Sequence, residues 1–129
     1  MDQLLAHLVG DYLLQTHHQA TRKVHAWGPA LAHALTYTLP FLALTRDPRR
    51  LAAILGTHAV IDRYRLARYV VWAKNQLAPA ERRPTLDDLR QGGTGYPADT
   101  PAWLAVWLML AADNTLHLGV NRWVLGREG

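Results

Sequence analysis

The fold is indicated most clearly by residues 47–62, which read DPRRLAAILGTHAVID. Asp47 can cap a helix that opens at Pro48, where the missing proline N–H costs nothing. Apolar residues then recur at helical spacing, and His58 and Asp62, four residues apart, share one face within the apolar run. This stretch therefore predicts a helix that carries a polar pair toward the core.

Three further segments show the same helical spacing of apolar residues. We expect four helices in all, over residues 2–21, 29–45, 48–75 and 101–125. Prolines mark the start of the second, third and fourth helices, because their fixed φ suits the first helical turn. The third helix is expected to bend near Gly56.

The apolar residues of these helices are expected to form the core. On the first helix, the buried side is predicted to carry Leu4, Leu5, Leu8, Tyr12 and Leu13. On the last helix, Trp103 and Trp107 are one turn apart and are interpreted as core residues.

The segment between the third and fourth helices is rich in residues that break regular structure. Residues 77–100 contain three prolines and three glycines, so we expect one long irregular loop before the last helix. Such a loop serves as a lid or as a connector, and both interpretations stay open. The predicted fold is all-α, a four-helix up-and-down bundle with this loop.

Length and composition limit the class of protein. A chain of 129 residues, half of them apolar and 19% charged, predicts a single helical domain over residues 1–129. The absence of cysteine excludes a disulfide framework and a thiolate metal site, so any metal must be held by imidazole and carboxylate groups.

The N-terminus and the charge pattern bear on location and partners. The first apolar stretch carries Asp2, His7 and Asp11 and makes a poor secretory signal, so a cytoplasmic location is expected. The apolar stretches are shorter than the roughly 20 residues that span a bilayer, which makes membrane association the less favoured interpretation. The net charge of +4 favours an anionic small-molecule substrate. The scattered basic residues predict no stable nucleic-acid partner, and homo-oligomerisation stays open.

Three His/Asp pairs at a spacing of four residues carry the chemistry. They lie in HLVGD (7–11), HAVID (58–62) and DNTLH (113–117), each within an apolar run of a different predicted helix. Chance would give about one such pair in a chain of this composition. In an up-and-down bundle the reversed order in the last helix brings the histidines to one level and the aspartates to the next.

Buried carboxylates at these positions require a cation, because an unpaired buried charge destabilises the fold. The predicted ligands are His7, Asp11, His58, Asp62, Asp113 and His117. They would hold one or two divalent transition metal ions, Zn, Mn, Fe, Co or Ni, and the three aspartates are also the candidate catalytic groups. A buried network of Asp–His hydrogen bonds without a metal is the alternative.

A wider set of polar residues is assigned to substrate binding or to support of the ligands. It comprises His33, Tyr37, Gln15, Lys23, Arg63, Arg65 and Asn114. For His33 a hydrogen-bonded core histidine is the simpler interpretation, and for both arginines a solvated surface position is the alternative to a phosphate clamp. Three further histidines, His17, His18 and His25, are expected to be exposed.

Four blocks, HLVGDYLLQ, LAHALTYTLP, GTHAVIDRYRLARY and ADNTLH, span nearly the whole chain. In their order and spacing the sequence resembles the bacterial and phage domain-of-unknown-function family 3307. The resemblance implies which positions matter but no settled activity, and many members of that family are predicted to be membrane proteins. His17 and His18 stand where the family pattern has an Asp-Trp pair.

The His-x-x-x-Asp pairs are also similar in design to the metal sites of zinc-dependent phospholipase C and of HD-type phosphohydrolases. That similarity implies phosphoester chemistry. The leading hypothesis is therefore a metal-dependent hydrolase, an enzyme acting on a phosphoester or nucleotide. The alternatives are a non-catalytic, metal-stabilised helical binding module and a small membrane-associated protein.

Overall fold

A computed structural model describes residues 1–126, and these residues form helices, turns and loops without a β-strand. The described α-helices are α1 (Gln3–Leu8), α2 (His17–Arg22), α3 (Trp27–Thr38), α4 (Pro48–Tyr64), α5 (Leu66–Asn75), α6 (Leu86–Gly92) and α7 (Ala102–Leu125). The all-α prediction is confirmed. The up-and-down order of a four-helix bundle stays a prediction.

The first predicted helix, residues 2–21, is interrupted. Helix α1 continues into a π-helical turn at Val9–Leu13, and α2 starts afresh after Thr16. The Thr16 side chain accepts a hydrogen bond from the Gln19 backbone N–H at 3.2 Å, and the Gln19 side chain accepts one from the Thr16 N–H at 2.9 Å. This capping box favours a new helix start over continuation of the old helix.

The third predicted helix, residues 48–75, is divided at Arg65. Helix α4 is capped by Asp47, whose carboxylate accepts from the Arg49 N–H at 2.9 Å, and it continues through Gly56. Arg65 then takes a left-handed conformation, with φ 52° and ψ 49°, before α5 begins. Its guanidinium donates to the carbonyl oxygen of Gly93 at 2.9 Å, a tertiary contact that offsets the local cost.

The segment 77–100 is less irregular than its glycine and proline content predicts. A 3-10 turn occupies Ala80–Arg82, and α6 follows. Thr85 and Asp88 form a capping box at the start of α6, and Gly93 ends the helix with φ 73°. The breakers therefore lie at the ends of a short helix, where they are compatible with it.

The chain divides into two compact units. The first comprises residues 1–64 and 117–126 of the described chain, and the second comprises residues 65–116, so α7 contributes to both. Within the second unit, Ala67, Val71 and Leu89 are buried. That the chain folds as one domain stays a prediction.

The first unit has a small apolar core beside a large buried polar set. Ala6, Tyr37, Phe41 and Ile54 form the apolar cluster. The fully or nearly buried polar residues of this unit include His7, His33, His58, Asp62, His117 and Asn121. Their number is unusual, because histidine and aspartate are seldom buried without partners.

The predicted buried side of the first helix is wrong. Leu4, Leu8 and Leu13 are 51%, 38% and 76% exposed, whereas Ala6 and His7 of the same helix are fully buried. The periodicity is compatible with either face, and polar contacts at His7 place the histidine face inward. The apolar face is left outside.

Helix α7 also departs from the prediction. Trp103 and Trp107 are each 68% exposed and are not core residues. Among the described residues α7 is the one helix long and apolar enough to cross a membrane, judged by length and composition only. Of the 18-residue apolar stretch that meets this criterion, 11% is buried. The expectation that every apolar segment is too short to span a bilayer therefore fails for α7.

Candidate metal centre

Four polar side chains of the first unit converge on one point. They are Asp11, His33, His58 and Asp62, here called the four-residue cluster. Asp11 comes from the π-helical turn, His33 from α3, and the other two from adjacent turns of α4. Because α3 and α4 pack against each other extensively, residues that are distant in sequence meet between them.

Asp11 is brought to the cluster by a close approach of backbones. A Cβ atom at Gly10 would lie 2.6 Å from Cδ2 and 2.9 Å from the carbonyl oxygen of Tyr37. Only glycine leaves room for this contact between the π-helical turn and α3. The π-helical turn itself, a feature often found at functional sites, changes the direction of the Asp11 side chain relative to a regular helix.

The distances between the donor atoms match those of ligands on a common ion. His33 Nε2 lies 2.9 Å from His58 Nε2, 3.1 Å from Asp11 Oδ1 and 3.3 Å from Asp62 Oδ2. His58 Nε2 lies 3.4 Å from Asp11 Oδ1 and 3.2 Å from Asp62 Oδ2. Two donors about 2.1 Å from one ion stand about 3.0 Å apart at a right angle and about 3.4 Å apart at a tetrahedral angle.

Hydrogen bonding alone does not account for this crowding. His33 Nε2 has polar neighbours in Gln15, His58, Asp11 and Asp62, all within 3.3 Å. One ring nitrogen carries either one proton or one lone pair, so it makes one good hydrogen bond. A cation among these atoms would satisfy several lone pairs at once, and the cluster can therefore bind a metal ion.

The ionisation states suit metal ligation. Burial opposes the ionised form of Asp62, but hydrogen bonds with His117 and His33 outweigh it and hold its pKa well below the ordinary value. Burial likewise opposes ionisation of Asp11, whose pKa is nevertheless lowered by the hydrogen bond with His33. Burial lowers the pKa of His58 to about 4 despite the nearby Asp62. Both carboxylates are then ionised and His58 is neutral at pH 7, the forms that a metal ion requires.

The ring of His33 differs electrostatically from that of His58. Burial favours its neutral form, but hydrogen bonds with Asp11 and Asp62 outweigh burial and raise the pKa of His33. The two carboxylates therefore favour a proton on His33. A divalent ion would displace that proton, so metal binding should release it.

Lys23 lies at the edge of the cluster. Its Nζ is 2.6 Å from Asp62 Oδ2, and its side chain is 17% exposed, compared with 10% for Asp11 and 4% for Asp62. This edge is where the cluster comes nearest to solvent. Lys23 therefore balances the charge of one carboxylate at this edge.

A second layer of buried polar residues surrounds the cluster. His7 Nδ1 lies 2.9 Å from the Tyr37 hydroxyl and 3.6 Å from Asp11 Oδ2. Asn121 donates to the same hydroxyl at 2.6 Å, and His117 Nε2 lies 3.2 Å from Asp62 Oδ1. The Tyr37 ring stacks on the ring of His58 with centroids 3.5 Å apart and an interplanar angle of 14°. These contacts fix the orientation of the ligands, as supporting residues do at metal sites.

The structure brings together most of the predicted ligands. His7, Asp11, His58, Asp62 and His117 all lie in this buried set of the first unit. The remaining one, Asp113, lies one turn before His117 on α7 and belongs to the second unit. Its role as a ligand stays a prediction.

The predicted supporting residues divide into two groups. Gln15, His33, Tyr37 and Lys23 contact members of the cluster. Arg63 instead donates to the carbonyl oxygen of Val24 at 2.8 Å, and its guanidinium lies over the rings of Trp27 and Tyr64. The role of Arg63 in a phosphate clamp stays a prediction.

Two further predicted positions belong to the second unit. Arg65 donates to Gly93 there, and Asn114 lies on α7 next to Asp113. Their roles in substrate binding stay predictions. The expected exposure of His17, His18 and His25 agrees with the structure.

From the sequence, His33 was predicted only as a supporting residue, and Asn121 was not predicted at all. His33 has no Asp four residues away, so the pair rule assigned it a supporting role, yet its Nε2 lies within 3.3 Å of all three other members of the cluster. Asn121 lies four residues after His117, and Tyr37 lies four residues after His33. The signal that could have found them is this second set of i, i+4 neighbours, polar residues spaced to share a face with a histidine.

Comparison with known proteins gives a family but no relative of known function. The model of the family described as Protein of unknown function (DUF3307) matches residues 1–80. No curated protein and no solved structure matches the chain. The matched range contains the whole four-residue cluster, whereas His117 and Asn121 lie outside it.

Proposed function

The chain belongs to the DUF3307 family, which is described as having no known function, and we propose that it is a metal-dependent hydrolase acting on a phosphoester or nucleotide. The observation that carries the proposal is the convergence of two imidazoles and two carboxylates with donor separations of 2.9–3.4 Å. That ligand set suits one or two divalent ions of Zn, Mn, Fe, Co or Ni.

The ligand chemistry supports hydrolysis. A divalent ion held by nitrogen and oxygen donors supplies Lewis acidity toward water and toward a phosphoryl oxygen. Asp11 and Asp62 bring two negative charges, and Lys23 brings one positive charge. In the proposed reaction an aspartate of the four-residue cluster takes a proton from the attacking water, and Lys23 holds the anionic substrate.

The substrate class follows from charge and access. The net charge of +4 favours an anionic small molecule, and the Asp11 and Lys23 edge is the more accessible side of the cluster. A cytoplasmic location provides nucleotides and other phosphoesters and is part of the proposal. A stable nucleic-acid partner is not proposed, and a homo-oligomer is compatible with it.

The first test is metal content, followed by turnover. Protein purified without a histidine tag is analysed for bound metals and then assayed on nucleotides, cyclic and linear dinucleotides and generic phosphoesters. Zn, Mn, Co, Ni and Mg are added separately. We expect at least one substrate to be hydrolysed with metal, and the activity to be lost in Asp62→Ala and in His58→Ala.

The matched control is His18→Ala, which removes an exposed imidazole. It should retain both metal and activity. A wild-type protein that turns over nothing on the panel, or an activity that survives both cluster substitutions and chelation, contradicts the catalytic proposal.

Burial of the cluster favours a second candidate, a non-catalytic binding module stabilised by the ion. The side chains of His33, His58 and Asp62 are 0%, 1% and 4% exposed, as is common for closed structural sites. In that case the protein is loaded with metal and inert on the whole panel, and loss of a ligand lowers stability alone.

Exposed apolar residues favour a third candidate, association with a membrane. Leu31, Leu35 and Leu39, here called the leucine face, follow one another at intervals of four residues and are 43%, 57% and 55% exposed. Trp27 precedes them, and Arg46 follows the helical segment. An apolar stripe with an aromatic residue at one end and basic residues beyond the other is typical of a helix at a lipid surface.

Flotation with vesicles tests this candidate. The wild type should float with phosphatidylcholine vesicles that contain phosphatidylglycerol, because the net positive charge adds to the apolar contact. A variant with glutamine at all three positions of the leucine face should stay in solution. If wild type and variant behave alike, the leucine face does not bind lipid.

A further inference from the structure

The two carboxylates of the four-residue cluster each have a second oxygen that faces away from His33 and His58. Asp62 Oδ2 lies near those two histidines, whereas Asp62 Oδ1 lies 3.2 Å from His117 Nε2. Asp11 is divided in the same way. Its Oδ1 faces the cluster, and its Oδ2 lies 3.6 Å from His7 Nδ1.

We propose that Asp62 bridges two metal ions and that His117 is a ligand of the second. The first ion is held by the four-residue cluster. The second lies on the other side of the carboxylate, at Asp62 Oδ1 and His117 Nε2, with Asp11 Oδ2 and His7 beside it. The inference rests on the proposed function, because it assumes that the cluster binds an ion.

Burial and spacing support a second ion. His7 and His117 are 0% and 1% exposed, and their ring centroids are 5.8 Å apart. The ring of His117 is 4.3 Å from that of His58, so the two proposed ligand sets are immediate neighbours. Pairs of catalytic ions are typically about 3.5–4 Å apart, a separation that one bridging carboxylate can span.

The number of donors gives a second argument. Two carboxylates and four nearby imidazoles supply more donors than the four that a tetrahedral ion uses. A second ion would account for the presence of two buried histidines, His7 and His117, beside the outer carboxylate oxygens. Two ions joined by one carboxylate are the arrangement found in two-metal sites that hydrolyse phosphoesters.

The rival explanation is that His117 only orients Asp62 through a hydrogen bond. The number of ions bound per chain separates this explanation from the proposed ligand role of His117. Untagged wild-type protein is stripped with chelator, reloaded with Mn²⁺ or Zn²⁺ and measured by titration calorimetry and by elemental analysis. We expect two ions per chain in the wild type and one in His117→Ala, with the remaining ion abolished by adding His33→Ala.

Electron paramagnetic resonance of the Mn²⁺-loaded protein supplies a second readout. Two ions bridged by a carboxylate give a spin-coupled spectrum, and one isolated ion gives a simple six-line spectrum. His117→Gln keeps a hydrogen-bonding group of similar reach and should still lose the coupled spectrum. These data come from the folded wild type as well, so a variant that fails to fold does not remove the test.

The outcomes are distinct. One ion per chain with an uncoupled spectrum, and a weakening of that ion by 10- to 100-fold in His117→Ala, identifies His117 as a supporting residue and overturns the two-ion proposal. The proposed function survives that result. A wild type that binds no ion defeats both.

Discussion

Helix α3 and the 3-10 segment that continues it separate two kinds of residue onto opposite faces. The inward face carries His33 and Tyr37, which are fully buried, and the outward face is the leucine face. A surface helix of a water-soluble protein normally buries its leucines and exposes its polar residues. The inversion indicates that polar contacts specify the interior of the first unit. It also means that hydrophobic burial contributes less to the stability of this unit than its leucine content suggests.

The largest expected effect is a loss of thermal stability when the ion proposed at the four-residue cluster, on the inward face, is removed. An ion present at about 1,000 times its Kd stabilises the folded state by about 4 kcal/mol. Because a domain of this size loses roughly 3–5 °C in Tm per kcal/mol, chelation should lower the melting temperature by more than about 10 °C. Thermal melts with and without chelator, followed by back-titration with Zn²⁺, measure this. An unchanged Tm after proven metal removal would show that the buried network holds itself together.

Gly10→Ala should give the next largest effect. The added Cβ meets the backbone of Tyr37 at 2.9 Å, so the π-helical turn must move away from α3 and take Asp11 with it. Overpacking of this kind costs about 1–3 kcal/mol. Chemical denaturation measures the free energy of unfolding, and titration measures the accompanying loss of metal affinity.

The control for that variant is Gly56→Ala. Gly56 lies inside α4, and a Cβ atom added there would have nothing within 4 Å, so alanine should be neutral or stabilise by about 0.5–1 kcal/mol. Equal effects at both glycines would mean that the close approach at Gly10 does not matter.

A smaller loss is expected from Tyr37→Phe. The change removes the hydroxyl that contacts His7 and accepts from Asn121, and it keeps the ring that stacks on His58. Leaving buried polar groups without this partner should cost roughly 1–2 kcal/mol in the free energy of unfolding. Denaturant melts provide the measurement, with Tyr64→Phe, a half-exposed tyrosine of the same unit, as the control. If the two variants are equally stable, the hydroxyl does not support the cluster.

The sequence predicts which polar residues come together better than it predicts which face of a helix is buried. His58 and Asp62 are found from their spacing, and the start of α4 is found from Asp47 and Pro48. The direction of burial is not found, because Leu31 and Leu35 are four residues apart, as His33 and Tyr37 are, and hydropathy assigns the leucines to the core. Only the tertiary convergence of Asp11, His33 and α4 resolves the choice.

The breaks within the predicted helices were not found from the sequence either, for a different reason. Arg65 adopts a left-handed conformation that sequence rules reserve for glycine and asparagine. Its cost is offset by a contact with Gly93, 28 residues away. A local pattern carries no information about such a contact. The capping box at Thr16 is local and could have been found, but the apolar run before it favoured one continuous helix.

The smallest expected effect on stability is at the leucine face, where a substitution tests whether this side of α3 is truly outside the core. Replacing Leu31, Leu35 and Leu39 with glutamine removes apolar groups that are already 43–57% exposed, so each change should alter the free energy of unfolding by less than about 0.5 kcal/mol. Metal affinity should be unchanged, because these residues face away from His33. Vesicle binding should be lost in the same variant, which separates the membrane role from the metal role. A large loss of stability in solution would instead mean that the leucines pack in the folded protein, and the inversion of α3 would be wrong.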